Sequence, residues 1–196
     1  MCSLFCYLIP WSIHAWLSYW LLHLAGWKVM SRLPDIKKYI IIVYPHTSNW
    51  DFPIGLFAAW ALRMDVTFLG KHTLFVGPFG WLFRALGGYP VKRDERKNMV
   101  SQVVELIESR ERISIALAPE GTRKKTDHWK SGFYHIALEA KVPVVLAYID
   151  ASRREIGVGP TLEMSGDKEL DVQRIRAFYQ DKQGIRPELA SEISLR

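Results

Sequence analysis

Apolar residues fall in blocks along the chain, and the length and spacing of each block predict its element. Lys38 to Tyr44 (KYIIIVY), Ile113 to Ala118 and Val144 to Ile149 are short continuous apolar runs rich in β-branched residues, the pattern of strands buried on both faces. Val66 to Leu69 reads as a short strand and Ile156 to Met164 as a weaker one. Arg96 to Arg110 carries Met99, Val103, Leu106 and Ile107 at helical spacing, which predicts an amphipathic helix. Further helices are expected near Phe79 to Leu86, over Lys130 to Lys141, and over Glu169 to Asp181. Phe52 to Arg63 is another, because Thr47, Ser48 or Asn49 can cap it and Pro53 falls in its first turn, where a missing N–H costs nothing. Strands alternating with helices predict an α/β fold: a central, largely parallel (mixed) sheet flanked by helices, with chemistry at the carboxyl ends of the strands.

The amino-terminal stretch breaks this pattern. Met1 to Trp27 contains no Asp, Glu, Lys or Arg and places Trp11, Trp16, Trp20 and Trp27 among Leu, Ile, Phe and Tyr. It lacks the basic start and small-residue cleavage site of a signal peptide. A bilayer span needs about 20 apolar residues, and Pro10, Ser12, His14, Ser18 and His23 dilute this one. We read a helix from about Pro10 that lies in or dips into a membrane, with Lys28, Arg32, Lys37 and Lys38 following on the side of anionic lipid. The alternative is a buried core helix. The chain thus divides into an apolar membrane-associating helical segment, residues 1–30, and a single domain, residues 31–196.

Composition adds limits. Lys and Arg (26) exceed Asp and Glu (20), so anionic partners are implied: phosphate, nucleic acid or an anionic membrane surface. The only cysteines are Cys2 and Cys6, which suggests neither a disulfide framework nor a zinc site. The remaining histidines form no metal-like cluster. There is no serine-hydrolase elbow and no RNA-binding aromatic signature.

Candidate chemistry follows the strong strands. His46 and Asp51 come just after the first. Five positions apart they would diverge by about 140° on a continuous helix. With His46 in the loop and Asp51 in the first turn, the carboxylate can fold back on the imidazole and make it a general base. Asp51 equally fits a capping pattern with Ser48, and spacing alone leaves both readings open. APEGTRKK, Ala118 to Lys125, follows the second strand; Gly121 would let backbone N–H groups approach an anion, and Arg123 could grip phosphate bidentately. A solvated turn is the plainer reading. Gly87 to Asn98 is a basic loop containing Arg93.

In this order the stretches resemble the glycerolipid acyltransferases typified by 1-acylglycerol-3-phosphate acyltransferase. The family's H-x-x-x-x-D, G-x-x-x-x-x-R, P-E-G-T-R and V-P-[IV]-[IV] blocks read here as His46 to Asp51, Gly87 to Arg93, Pro119 to Arg123, and Val142 to Val145. Pro45 stands where the family usually has Asn. The resemblance implies acyl transfer from acyl-CoA or acyl-carrier protein to the hydroxyl of a lysophospholipid, most directly 1-acylglycerol-3-phosphate, in phospholipid biosynthesis. His46 would be the general base and Asp51 its orienting partner. Arg93, Glu120, Gly121, Thr122 and Arg123 would bind substrate, without metal or organic cofactor. A membrane-associated site on the cytoplasmic face of the inner (plasma) membrane is implied, with membrane phospholipid and lysophospholipid as partners and no nucleic acid. A non-catalytic lipid-binding protein on the same fold, or transfer to a different acceptor, are the competing readings.

Overall fold

The computed structural model describes residues 11–30, 34–77, 79–91 and 96–195. Arg93, Cys2, Cys6 and Pro10 lie outside the described residues. Among these residues the strands form one seven-stranded sheet: β1 (Lys28–Met30), β2 (Lys38–Tyr44), β3 (Val66–Lys71), β4 (Gly88–Val91), β5 (Ile113–Leu117), β6 (Val144–Asp150) and β7 (Glu155–Leu162). Their spatial order is β1-β7-β6-β2-β5-β3-β4. Every neighbouring pair is parallel except β6 with β7. That exception follows from chain length: Ala151 to Arg154 make a turn, whereas a parallel return needs a crossover of about a dozen residues or more.

The helices are α1 (Trp11–Leu24), α2 (Asp51–Ala61), α3 (Gly80–Ala85), α4 (Arg96–Glu108), α5 (Gly132–Ala140) and α6 (Lys168–Tyr179). Strand β2 lies at the centre and is buried on both faces, which is why its sequence shows no alternation. Ile40, Ile42 and Tyr44 join the large cluster with Val103 and Ile107 of α4, Phe133 and Ile136 of α5, and Ile175 of α6. Tyr39 and Ile41 face the other way, against Met64 and the end of α2.

Two strands escape the pattern. β4 contains Gly88 and Pro90, residues normally read as turn, and it tolerates them because it is the sheet edge, where a missing N–H breaks no ladder. β1 has only three residues, at the opposite edge. The expected cap of α2 also differs. Trp50 occupies the N-cap without a side-chain bond, and Ser48 Oγ instead accepts from the Trp50 N–H at 3.2 Å.

α1 is not a buried core helix. Ala15, Ser18 and Leu22 are buried, Leu22 against Ala58 of α2, while Trp16, Trp20 and Leu24 are exposed. Among the described residues no helix is long and apolar enough to cross a membrane.

Tyr179 ties α6 to the central strands. It is fully enclosed, and its hydroxyl donates to the Ile42 and Ala147 carbonyls at 3.0 and 2.9 Å. Burial pushes its pKa well up. Tyr179→Phe should therefore lower unfolding free energy by about 1–3 kcal/mol, read as a lower urea midpoint at unchanged slope.

Candidate active site

The carboxyl end of β2 delivers His46 into a cleft, and the start of α2 returns Asp51 beside it. His46 Nδ1 lies 3.2 Å from Asp51 Oδ2. The same oxygen accepts the backbone N–H groups of Thr47 and Ser48 at 2.7 and 2.8 Å. The carboxylate therefore organises the loop before α2 and faces the imidazole at once, while the N-cap of α2 itself, Trp50, has no side-chain bond. An Nδ1–H facing this carboxylate would leave Nε2 as the acceptor nitrogen. The Asp51 side chain is 2% exposed and that of His46 21%, so the imidazole reaches solvent while its partner does not.

Behind this pair stands a second carboxylate. Glu120 is 1% exposed; its Oε2 accepts the His46 N–H at 2.7 Å and its Oε1 the Ser191 N–H at 3.0 Å. Both oxygens are thus engaged, and Glu120 does not line the cleft. It acts on the site by fixing the backbone of His46. Burial raises its pKa, against the lowering effect of those hydrogen bonds. Tyr44, whose hydroxyl donates to the Ser191 carbonyl at 3.0 Å, is pushed up to about 12 by burial and by the charge of Glu120.

The cleft holds about 1470 Å³. His46, Asp51, Gly121, Thr122 and Arg123 line its polar end, and Ile41, Val43, Ala58, Phe68 and Val158 are among its apolar walls. Gly121 has φ +66°, a conformation that favours glycine. Arg123 is exposed, and the Thr122 hydroxyl accepts from the Lys124 N–H at 3.2 Å, a local turn contact.

Three contributors were not singled out in the sequence. Lys71 and Lys130 line the same cleft. Lys130 lies across Gly121, since a Cβ on that glycine would fall 2.7 Å from Lys130 Nζ. No described carboxylate forms an ion pair with Lys71, Lys130 or Arg123. The third is the carboxy-terminal segment: besides Ser191, the Arg186 N–H donates to Thr47 Oγ1 at 3.1 Å. A lone lysine and a polar tail carry no spacing signal.

The family described as Acyltransferase matches residues 28–150. The curated 1-acyl-sn-glycerol-3-phosphate acyltransferase of Cocos nucifera is 29% identical over 85 residues, 41% of this chain and 28% of that protein's length. The chain therefore aligns with under a third of that relative. The crystal structure of the 1-acyl-sn-glycerophosphate (LPA) acyltransferase of Thermotoga maritima superposes with TM-score 0.60 at 16% identity, covering 91% of this chain and 86% of the other, which is a likeness of fold.

The raised pKa of Glu120 has a stability consequence with a definite sign. The folded chain holds this proton more tightly than the unfolded one, so the group's contribution falls as pH rises from the ordinary glutamate value of about 4.3 through the raised one, and is constant above. Glu120→Gln lacks this proton. The unfolding free energy of the wild-type chain minus that of Glu120→Gln should decrease with rising pH over that window, measured by urea titration at each pH; a flat difference rules the assignment out.

Proposed function

The chain belongs to the acyltransferase family, and from that premise we propose that it transfers a fatty acyl group from a thioester, acyl-CoA or acyl-carrier protein, to the hydroxyl of a lysophospholipid, with 1-acylglycerol-3-phosphate as the leading acceptor. The observation that carries this reading is the His46–Asp51 contact of 3.2 Å at the polar end of a large, mostly apolar cleft.

On this reading the chemistry is direct acyl transfer. His46 Nε2 takes the proton of the acceptor hydroxyl as its oxygen forms a bond to the thioester carbonyl carbon. The tetrahedral intermediate collapses by breaking the carbon–sulfur bond, and the imidazolium returns the proton to the departing thiolate. Asp51 stabilises the imidazolium and holds the tautomer. The hydroxyl attacks the thioester directly, so no acyl-enzyme forms and no metal or organic cofactor takes part. Arg123, with Lys130 over Gly121, presents positive charge for the acceptor phosphate, and the apolar walls take the acyl chains. Arg93 is assigned to the same phosphate on its place in the motif alone. The enzyme works at a membrane, on the cytoplasmic leaflet. At 14 residues α1 is about 21 Å long, short of the roughly 30 Å hydrocarbon core, so it lies in the interface with Trp16 and Trp20 in the headgroup region.

Membranes or detergent-dispersed protein supplied with labelled acyl-CoA and lysophosphatidate test the assignment. His46→Ala should lower kcat by about 10²- to 10⁴-fold, and wild-type turnover by this variant would end the general-base role. Asp51→Asn should lower kcat with little change in Tm, whereas a role in capping alone gives the reverse. Lys130→Met and Arg123→Ala should each raise KM for the phosphorylated acceptor roughly 10- to 100-fold with kcat nearly kept, and leave a monoacylglycerol acceptor unaffected.

A further inference from the structure

Exposed apolar side chains are not scattered over this molecule. Among the described residues, all the large exposed ones except Leu138 and Leu170 lie in α1 and β1, at Trp50 and Phe52, or on the turn after β3. On that turn and the start of α3, Leu74 is 50% exposed, Val76 74%, Phe79 66% and Trp81 64%. A soluble surface rarely leaves such a group together without a use for it.

The turn is built to present them. Its 3₁₀ segment, His72–Phe75, buries Phe75, whose carbonyl accepts from Arg84 Nη1 at 3.1 Å and whose ring sits 5.5 Å from the Arg84 guanidinium and 6.1 Å from Phe83. A Cβ at Gly80 would come within 2.2 Å of the Phe75 oxygen, so α3 is packed directly on the 3₁₀ backbone. With Phe75 anchored inward, Val76, Phe79 and Trp81 are held outward.

Position and charge identify the occupant. Leu74 and Phe83 line the cleft together with Phe52, whose ring meets Phe68 at 5.0 Å, so the patch is continuous with the site's apolar wall. It stands beyond β3, towards the β4 edge, whereas α1 packs on the α2 side near Trp60 and on the β1 edge. The sequence has no acidic residue between Asp65 and Asp94, while Lys71 and Arg84 are exposed there. Pairing this face with a second copy would set like charges together; an anionic lipid surface complements them.

We propose that Leu74, Val76, Phe79 and Trp81 form a second membrane-contacting surface, separate from α1, which inserts into an anionic leaflet and seats the cleft mouth on the bilayer from the β3–β4 side. Why a seat is needed rests on the lipid acyl-transfer reading; the contact itself does not.

The test uses the full chain with Phe79→Glu/Trp81→Glu, both exposed and outside the catalytic machinery. Co-sedimentation with phosphatidylglycerol/phosphatidylcholine vesicles should fall at least about tenfold relative to wild type, with Tm unchanged and turnover of short-chain, monomeric substrates retained. Wild-type binding should weaken on pure phosphatidylcholine vesicles and with added salt. Unchanged vesicle binding by the double variant overturns the proposal and leaves α1 as the sole contact. A change in oligomeric state by sedimentation velocity, with vesicle binding kept, overturns it in favour of a second copy. If wild type binds vesicles and the variant does not, yet neither turns over any acceptor, the surface stands and the catalytic reading fails.

Discussion

A carboxylate sealed from water must be met by hydrogen-bond donors, and Glu120 meets that demand with the backbone of two distant segments. One oxygen holds the N–H of His46, the other the N–H of Ser191. Asp51 repeats the device one layer forward, using a single oxygen for two loop N–H groups and the imidazole. The histidine is thus fixed from its main chain by one acid and from its ring by another. Neither acid could move far without leaving backbone donors unpaired in the interior, so the placement of His46 rests on these hydrogen bonds as well as on packing, even though the second oxygen of Asp51 is itself buried without a partner.

Around that centre the cleft separates charge by depth. Glu120 is withdrawn behind the wall and Asp51 is on it but nearly sealed from solvent, while Lys71, Arg123 and Lys130 stand on it exposed. The strand ends supply this arrangement naturally, because β2, β3 and β5 run parallel and end on the same side. Parallel order in the sheet is therefore what gathers His46, Lys71 and Arg123 from three separate stretches of sequence.

The central fold was legible because its signals were local. KYIIIVY is a strand whichever way it is turned, and β5, β6 and the amphipathic helix α4 carry equally plain patterns. What failed to show was whatever depended on neighbours. β4 hides behind Gly88 and Pro90, residues that an edge position excuses. β1 is too short to have a period. The proximity of His46 and Asp51 could be proposed from spacing but not chosen, since a helix cap uses the same residues; in the fold one Asp51 oxygen binds the loop N–H groups and faces the imidazole. Glu120 could be placed at the site but not behind it, because burial of a carboxylate is decided by donors far along the chain. Lys130 and Ser191 gave no signal at all: one is a solitary cation, the other a serine whose backbone carries the interaction.

That last residue bears on how the molecule comes together in time. Ser191 reaches Tyr44 across 147 positions and Glu120 across 71, and it lies beyond the stretch matched by the family. Contacts of such long separation close after the local ones, because the chain between them must first be ordered. During synthesis the sheet strands through β7 emerge before the segment that completes the histidine loop. The geometry around His46 is accordingly a late event in folding, and a chain with its sheet formed but its tail undocked would be compact yet lack part of what holds the His46 loop in place.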